Sequence, residues 1–435
     1  MRPRRKPADQ AEEDTGKAAV LRHPRFLLLL SARTCSTLGT AVATTTLAFA
    51  VLAVGGSATH IGVVVAAQQL ALALAMLVGG VLADRFPRHR VMVVADVLAG
   101  LAQLAIAMLM LTGIATPTHL IVLAAVGGAG AGLFFPAAQG AIPQTVPRAG
   151  VQTANALLRL TTNLVTVGGA ALGGLLVVTA GAGWAMAVDG VSFLLSAALL
   201  CRLALPSADH DESGSLLASA KQGWRAVARR PWVWHGMVLY GVVALAYLPA
   251  LRVLGPMTAD SELGGAGAWA AIMVGNSVGL IVGSLVAMRW TPRRPIAVGM
   301  AATALLAPQF LFMALSAGTT PIAMVAVLSG ISVSLMGVYW NTALHHRIPA
   351  SEQSRVSAFN QLANMSIGPL GLALAGPVVS LIGLHFTLWI AVVLIVIPSL
   401  VGAVLPSMRA ITSDLAPGSS TATDASSRTG AGSSR

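Results

Sequence analysis

Long apolar runs separated by short polar breaks make up most of the chain. Most runs are about 20 to 28 residues long, and a helix needs about 20 apolar residues to cross the hydrocarbon core of a bilayer. The breaks carry turn formers or charges, as at Gly55-Gly56-Ser57 and Thr116-Pro117. The pattern predicts twelve transmembrane helices, at roughly 26–54, 61–83, 91–113, 118–142, 156–180, 184–204, 232–254, 266–288, 296–316, 320–343, 357–380 and 384–405.

The composition is typical of a protein whose main solvent is lipid. Of the 435 residues, 56% are hydrophobic and only 10% are charged, whereas about a quarter of the residues of a soluble protein are charged. Such a chain has too few charges to cover a water-facing surface, so a soluble enzyme is excluded. Cys35 and Cys201 fall in apolar runs, where we expect small buried side chains rather than a disulfide.

The lysines and arginines are divided unevenly between the two sides of the membrane. An even number of spans places both termini on one side, and the tails and loops of that side hold 24 of the 27 cations. Arg33 and Arg159 lie within spans, and Arg252 alone falls on the other side. This is the positive-inside bias, so we expect both termini in the cytoplasm. The net charge of +12 then faces an anionic inner leaflet, and no nucleic-acid partner is expected.

The chain divides into two six-helix bundles joined by a polar segment, which is an all-α integral membrane fold. We place the bundles at 23–205 and 232–406, and disordered cytoplasmic tails at 1–22 and 407–435. The central cytoplasmic loop, 206–231, contains a predicted amphipathic helix from Leu216 to Arg230 with a basic face suited to an anionic membrane surface. The N-terminal tail is polar, so no cleavable signal peptide is expected.

The loop between the second and third runs, Gly80 to Arg90, reads Gly-Val-Leu-Ala-Asp-Arg-Phe-Pro-Arg-His-Arg. It resembles the same loop of major facilitator superfamily (MFS) transporters, whose pattern is Gly-x-x-x-Asp-Arg-x-Gly-Arg-Arg/Lys. Pro87 replaces the second glycine, His89 replaces a cation, and Arg90 follows. The positions that match are Gly80, Asp84, Arg85 and Arg88.

By this resemblance the loop is a latch that holds the two halves in the outward-open state. Asp84 is then the acid of the latch, and Arg85, Arg88 and Arg90 are its cationic partners. The alternative is a plain charged turn that only fixes the topology, since such a loop must in any case lie at a membrane surface.

Further motifs across 22–406 resemble a bacterial branch of the MFS that includes macrolide-efflux-like and siderophore-exporter-like proteins. The resemblance implies two bundles that work by alternating access. Gly168 to Gly174 resembles the Gly-Pro-rich motif of drug–proton antiporters, with Ala170 in place of the proline; close helix packing is the alternative. The motifs of the branch are Phe135-Pro136-Ala137, Ile142-Pro143, Asn155-Ala156-Leu157, Asp189-Gly190-Val191-Ser192-Phe193, Trp340-Asn341-Thr342, Ile348-Pro349, Arg355-Val356, Pro369-Leu370-Gly371-Leu372 and Gly376-Pro377.

Four ionisable side chains lie well inside predicted spans and are candidates for ion coupling. They are Arg33, Asp96, Arg159 and Asp189. A charge in the membrane is expensive and is a functional candidate by default. The alternative is a set of paired structural charges, with Asp96 bonded to Arg33 or Arg159.

The family resemblance also implies a central cavity lined by helices 1, 4, 7 and 10 together with faces of 2, 5, 8 and 11. Arg33 belongs to this lining. The other candidates for the substrate cavity are Gln139, Tyr240, Tyr247, Tyr339 and Asn364. Asn364 shares a helical face with Asn360, Gln361 and Gly368.

No metal, cofactor or catalytic site is expected. His345 and His346 are adjacent and therefore cannot share one helical face, and no cluster of ligands accompanies them. No nucleotide-binding or hydrolase motif stands in a usable context, so the energy for transport must come from an ion gradient.

The sequence therefore predicts a secondary transporter in a bacterial plasma membrane. We expect export of drug-like or secondary-metabolite molecules in exchange for protons by a monomer in the lipid bilayer. The alternatives are an exporter of a siderophore or other native metabolite, an importer of the same fold, or a membrane sensor that transports nothing.

Overall fold

The computed structural model describes residues 20–147, 150–205, 224–225 and 227–412, and within these residues every regular element is a helix. Eleven of the described helices are long and apolar enough to cross a membrane. The helices are α1 (Pro24–Ala53), α2 (Ala58–Arg85), α3 (Arg88–Leu111), α4 (Pro117–Thr145), α5 (Val151–Ala180), α6 (Ala182–Cys201), α7 (Pro231–Glu262), α8 (Ala266–Arg289), α9 (Pro295–Ala314), α10 (Thr319–Arg347), α11 (Ala350–Ile382), α12 (Leu384–Val404) and the short α13 (Pro406–Arg409). The eleven are α1–α10 and α12; α11 has 33 residues, and its apolar part is Ile367–Ile382.

Proline and glycine set many of the helix ends. Pro24, Pro117, Pro231 and Pro295 open α1, α4, α7 and α9, because the first turn of a helix needs no N–H from its first residue. A single residue, Gly181, joins α5 to α6 at φ +88°, a backbone conformation that favours glycine.

α7 is broken in its interior by a π-helical turn, Ala250–Leu254, which directly follows Pro249. A proline inside a helix removes a backbone donor and clashes with the preceding turn, and a π-turn is one way to absorb the disruption. Arg252 lies in this turn. The charge count placed this arginine on the outer side of the membrane, and the structure places it within the long helix α7.

Helices α1–α6 and α7–α12 form two halves that meet at only one end of the described structure. We call the end where α1 begins and α12 finishes the near end, and the opposite end the far end. Two buried clusters at the far end mix the halves: Phe49 packs among residues of α7, α9 and α12, and Leu372 and Val253 pack among residues of α1 and α2. The two near-end clusters each belong to one half, with members only from 20–205 or only from 227–411.

Glycines bring the halves together at the far end. A Cβ built on Gly376 of α11 would collide with the backbone of Thr59 in α2, and one on Gly174 of α5 would collide with Ala270 of α8. The α2–α11 contact therefore joins backbone to backbone at Gly376, and at Gly174 the backbone of α5 lies against the methyl group of Ala270 in α8. We call these two contacts the far seam. Small residues that let helices approach closely are typical of packing in membranes.

The packed part of the chain extends further into both predicted tails than the sequence indicated. Val20 is 2% exposed in the near-end cluster of the first half, and Met408 of α13 is fully buried in that of the second. Cys35 and Cys201 are free, as expected, but neither is buried: Cys35 is half-buried and Cys201 is exposed. The predicted helix from Leu216 to Arg230 lies largely outside the described residues, as do most of both tails.

Candidate functional site

Two polar pairs lie in the interface between α3 and α6, which pack antiparallel inside the first half. Asp96 of α3 lies beside Ser196 of α6, and Gln103 of α3 donates a hydrogen bond to Asp189 of α6. The pairs are in register, since seven residues, or about two turns, separate their members on each helix. Gly100, between Asp96 and Gln103, lets the helices approach, because its built Cβ lies 3.1 Å from the carbonyl oxygen of Gly190.

Asp189 is fully buried and only partly hydrogen-bonded. Its Oδ2 accepts the bond from Gln103 Nε2 at 2.7 Å, and its Oδ1 has no hydrogen-bond partner among the described atoms. Gly39 of α1 lies against the carboxyl group, since a Cβ there would fall 2.5 Å from Oδ1. The carboxyl is therefore enclosed by three helices, one of its oxygens unsatisfied, which is costly for a buried polar group.

Asp189 and Gln103 line a cavity of about 60 Å³ that we call the seam cavity. Thr40 and Thr44 of α1 also line it. Arg252, from the π-turn of α7, is the charged side chain that the second half adds to this lining. The cavity thus places a buried acid of one half and a cation of the other around one space.

A second cavity, of about 190 Å³, lies within the second half between α7, α10 and α11, and we call it the C-half cavity. Tyr240 and Trp340 supply its aromatic rings, and Asn341 and Asn360 supply amides. Trp340 Nε1 donates to Asn360 Oδ1 at 3.3 Å. The described lining contains no ionised side chain, so it suits an amphipathic ligand with aromatic surface and a few hydrogen-bonding groups.

The other candidates for the substrate cavity are placed differently. Gln139 is exposed on α4 but lines neither cavity, and the side chain of Asn364 on α11 lies outside the described set. Tyr247 packs edge-to-face on Phe310, with ring centroids 5.9 Å apart. Tyr339 is 4% exposed and donates to the carbonyl of Trp290 at 3.0 Å, so it joins α10 to the end of α8.

The predicted pairing of Asp96 with an arginine is not found among the described residues. No ion pair joins Asp96 to Arg33 or Arg159, and Asp96 Oδ2 has no hydrogen-bond partner there. Arg33 is half-buried and Arg159 is exposed. An exposed cation on an apolar helix must meet water or headgroups rather than lipid tails, which fits a face that looks into an aqueous space.

The loop from Gly80 to Arg90 is almost entirely helical, since only Phe86 and Pro87 separate α2 from α3. Arg88 donates from Nη1 to the carbonyl of Gly140 in α4, and His89 Nδ1 accepts from the backbone N–H of Leu205 at 3.3 Å. These bonds tie α3 to α4 and to the chain that follows α6. The departures from the family pattern, Pro87 and His89, thus have local structural roles as helix cap and acceptor.

The remaining residues of the candidate latch lie at the near end. Arg85 and Arg90 are exposed, Gly80 is half-buried, and Asp84 stands in the last turn of α2 with its side chain outside the described set. An acid in the last turn of a helix opposes the helix dipole, so Asp84 is better explained by a charged partner than by helix stability. Within the described residues no group of three or more His, Cys, Asp or Glu side chains could hold a metal ion.

The residues that complete the two cavities carry only weak signals in the sequence. Arg252 is the one cation that breaks the positive-inside pattern. Gln103 shares a helical face with Asp96 but has no evident partner in the sequence. Trp340 and Asn341 belong to a family motif that implies no role for them.

Comparison with known sequences gives full-length relatives. A model of the Major Facilitator Superfamily matches residues 29–372. The chain is 32% identical over 419 residues to the multidrug efflux pump Tap of Mycobacterium tuberculosis, covering 91% of this chain and 96% of that protein. It is 26% identical over 361 residues to the enterobactin exporter EntS of Escherichia coli, covering 81% and 85%.

Solved structures of low sequence identity share the fold. The nucleoside transporter NupG matches with a TM-score of 0.69 at 13% identity, covering 87% of this chain and 98% of that one. A bacterial homologue of the human lysosomal transporter Spinster, in an inward-facing and unoccupied conformation, matches with a TM-score of 0.67 at 16% identity, covering 88% and 96%.

Proposed function

Since the chain belongs to the major facilitator superfamily, we propose that it exports drug-like or secondary-metabolite molecules in exchange for protons. Its spans make it a multi-pass membrane protein, and we place it in a bacterial plasma membrane as a monomer. One observation carries the transport proposal: the described clusters join the two halves at the far end only. Two rigid halves closed at one end are what alternating access requires.

We further propose twelve membrane-spanning helices with both termini in the cytoplasm. The apolar part of α11, Ile367–Ile382, is 16 residues by its bounds, and the helix continues toward the near end through Asn360 and Phe359. The near end carries the cation-rich loops, which the positive-inside rule assigns to the cytoplasm. On this assignment the structure is open to the cytoplasm and closed to the outside.

The C-half cavity is our candidate for substrate binding, and Tyr240 on α7 is the sequence candidate that lines it. Asn364, on the neighbouring α11, stays a candidate from the sequence. Its aromatic and amide lining has no ionised side chain among the described residues, so it suits uncharged or cationic amphipathic molecules better than sugars or phosphates. The similarity to a multidrug efflux pump over 91% of the chain supports this substrate class.

A siderophore or another native metabolite is the second candidate substrate. The observation that favours it is the similarity to an enterobactin exporter, which extends over 81% of the chain. Both candidates keep the direction of transport and the same alternating cycle.

The loop of Gly80, Asp84, Arg85, Arg88 and Arg90 is our candidate for the latch. In the near-open structure Arg88 is bonded within its own half, to α4. We propose that the latch forms only when the near ends of the halves come together, which is the outward-open state.

Inverted membrane vesicles test the function. We expect ethidium to accumulate inside them when respiration pumps protons inward, and to leak out again when a protonophore is added. Movement of ethidium only in the opposite direction would overturn the export proposal. Purified protein in proteoliposomes should also exchange labelled for unlabelled substrate with no gradient, and a sensor that transports nothing would show no exchange.

A further inference from the structure

The two buried acids of the first half differ in one respect that bears on coupling. Asp189 lines the seam cavity together with Arg252 of the second half, whereas Asp96 lines neither that cavity nor the C-half cavity. Only Asp189 therefore shares a space with a charge that belongs to the other half. An acid whose surroundings change when the halves move is the kind of group that can couple an ion to that movement.

We propose that Asp189, held by Gln103, carries the coupled proton, and that Arg252 drives this proton off when the far end closes. The inference rests on the proposed proton antiport and assigns its site. It couples the closing of the far seam to the loss of the proton. Arg252 reaches the cavity from the π-turn of α7, close to the contacts that join the halves.

The site favours a bound proton when no cation is near. An ionised carboxylate is expensive to bury unless it is paired and fully hydrogen-bonded. Asp189 has one hydrogen bond on Oδ2 and none on Oδ1 among the described atoms. A proton on Oδ1 removes the charge, and the bond from Gln103 to Oδ2 fixes which oxygen is left to carry that proton.

Arg252 is placed to change this preference. No ion pair joins it to Asp189 in the described structure, and the seam cavity that both residues line has room for a few water molecules. A cation within about 4–6 Å of an acid favours the charged form of the acid. When closure of the far end brings Arg252 into the cavity, the O–H bond of Asp189 breaks, the proton passes to cavity water, and the carboxylate remains with Arg252 as its counter-charge.

The direction of this effect is the one that an exporter needs. While the far end is closed and the near end is open, Arg252 favours loss of the proton, which leaves toward the cytoplasm. When the far end opens, α7 carries Arg252 away with the second half. The carboxylate then lacks its counter-charge and takes a proton from the outside. Each cycle thus brings one proton in as a substrate molecule goes out.

The other groups that face Asp189 are neutral. Gln103 of α3 bonds it, Thr40 and Thr44 of α1 and Gln68 of α2 line the same cavity, and α4 adds only glycine and alanine to the described lining. The nearest further charges on the packed helices, Asp96 and Arg33, lie about two turns along α3 and α1 from Gln103 and Thr40. Arg252 is therefore the one charged partner within the described lining of the cavity, and its neighbour on α7 is Tyr247.

The test uses the full chain in proteoliposomes with ethidium as the transported probe. Two rates are measured for each variant: transport driven by a pH gradient, and exchange of ethidium with no gradient. We expect Asp189→Asn to lose gradient-driven transport and to keep exchange. Asp96→Asn is the matched control, a buried acid in the same interface, and should keep both.

Arg252→Gln tests whether Arg252 drives the proton off Asp189. It should keep exchange, and the pH dependence of gradient-driven transport should move upward by about 1 unit, because the acid then holds its proton without an opposing cation. Arg252→Lys should restore most of the original profile. A purely structural role for Arg252 would lower both rates and leave the pH profile where it was.

The outcomes separate this inference from the proposed function. Gradient-driven transport by Asp189→Asn, or an unchanged pH profile in Arg252→Gln, overturns the inference and leaves proton antiport standing. Exchange by the unmodified protein without any response to a pH gradient overturns proton antiport and the inference together. If Asp189→Asn does not insert, the Arg252→Gln and Arg252→Lys pair decides, since Arg252 is only partly buried.

Discussion

Replacing Gly174 with alanine should push the transporter out of the far-closed state. The Cβ of the new alanine would lie closer than 3.0 Å to the Cβ of Ala270 and 3.3 Å from its Cα. Carbon atoms prefer about 3.5–4.0 Å, and the methyl group of Ala270 has no rotamer through which to escape. α5 and α8 must therefore part, which is the movement that opens the far seam.

The size of the effect follows from the cost of overpacking. Extra carbon atoms in a packed core cost about 1–3 kcal/mol. In the far-open state the two helices are apart, so the cost falls on the closed state alone. At about 1.4 kcal/mol for each factor of ten, the ratio of closed to open molecules should fall by roughly 5-fold to 150-fold.

Gly168→Ala is the matched control. It lies on the same helix, and a Cβ built there has no heavy atom within 4 Å. Both substitutions gain the same intrinsic helix propensity, about 1 kcal/mol over glycine, so this contribution cancels in the comparison.

Pulsed electron paramagnetic resonance measures the closed population directly. Spin labels on Ala53 and Leu381, both exposed at the far end, report the distance between the halves once Cys35 and Cys201 are replaced. We expect the short-distance population to shrink in Gly174→Ala and to stay unchanged in Gly168→Ala. Equal distance distributions in the two variants would refute the reasoning that α5 and α8 have no room for a Cβ at Gly174 in the far-closed state.

Two further substitutions test the latch and the C-half cavity. Asp84→Asn should slow transport while the protein still folds and inserts, and unimpaired transport would rule out Asp84 as the latch acid. Gly236→Ala should raise KM about fivefold, equivalent to about 1 kcal/mol of binding, because its Cβ would press the Trp340 ring into the cavity; an unchanged KM would remove this cavity from the substrate path.

The membrane architecture could be predicted from the sequence because its physical cause is simple. Apolar runs of sufficient length must become helices in lipid, and Gly181 and Pro117 mark where such helices end and begin. Eleven of the predicted spans are found in the described residues as helices long and apolar enough to cross a membrane. The signal for the twelfth is weaker because the first half of α11, which precedes its apolar part, is rich in polar side chains such as Glu352, Asn360 and Gln361.

Whether an individual side chain points to lipid, to a cavity or to a neighbouring helix could not be predicted in the same way. Lipid tails and a bundle interior are equally apolar, so hydrophobic periodicity does not separate the two faces of a span. Tyr339 was assigned to the cavity by helix number, yet its hydroxyl bonds the carbonyl of Trp290. Arg252 was assigned by charge count, yet a π-turn after Pro249 brings it into the seam cavity. The positions of both side chains depend on local backbone geometry, which hydrophobic periodicity does not describe.

The far seam has a consequence for how this transporter can change over evolutionary time. Because α2 meets α11 and α5 meets α8 through glycines, a larger residue at Gly376 or Gly174 has no room at the contact between the halves. The walls of the C-half cavity, by contrast, are side chains with room beside them. If substrate binds in this cavity, as we propose, new substrates can be acquired by substitutions in its lining while the glycines of the far seam stay unchanged. A transporter built in this way can broaden its range of substrates without any change in how its two halves move.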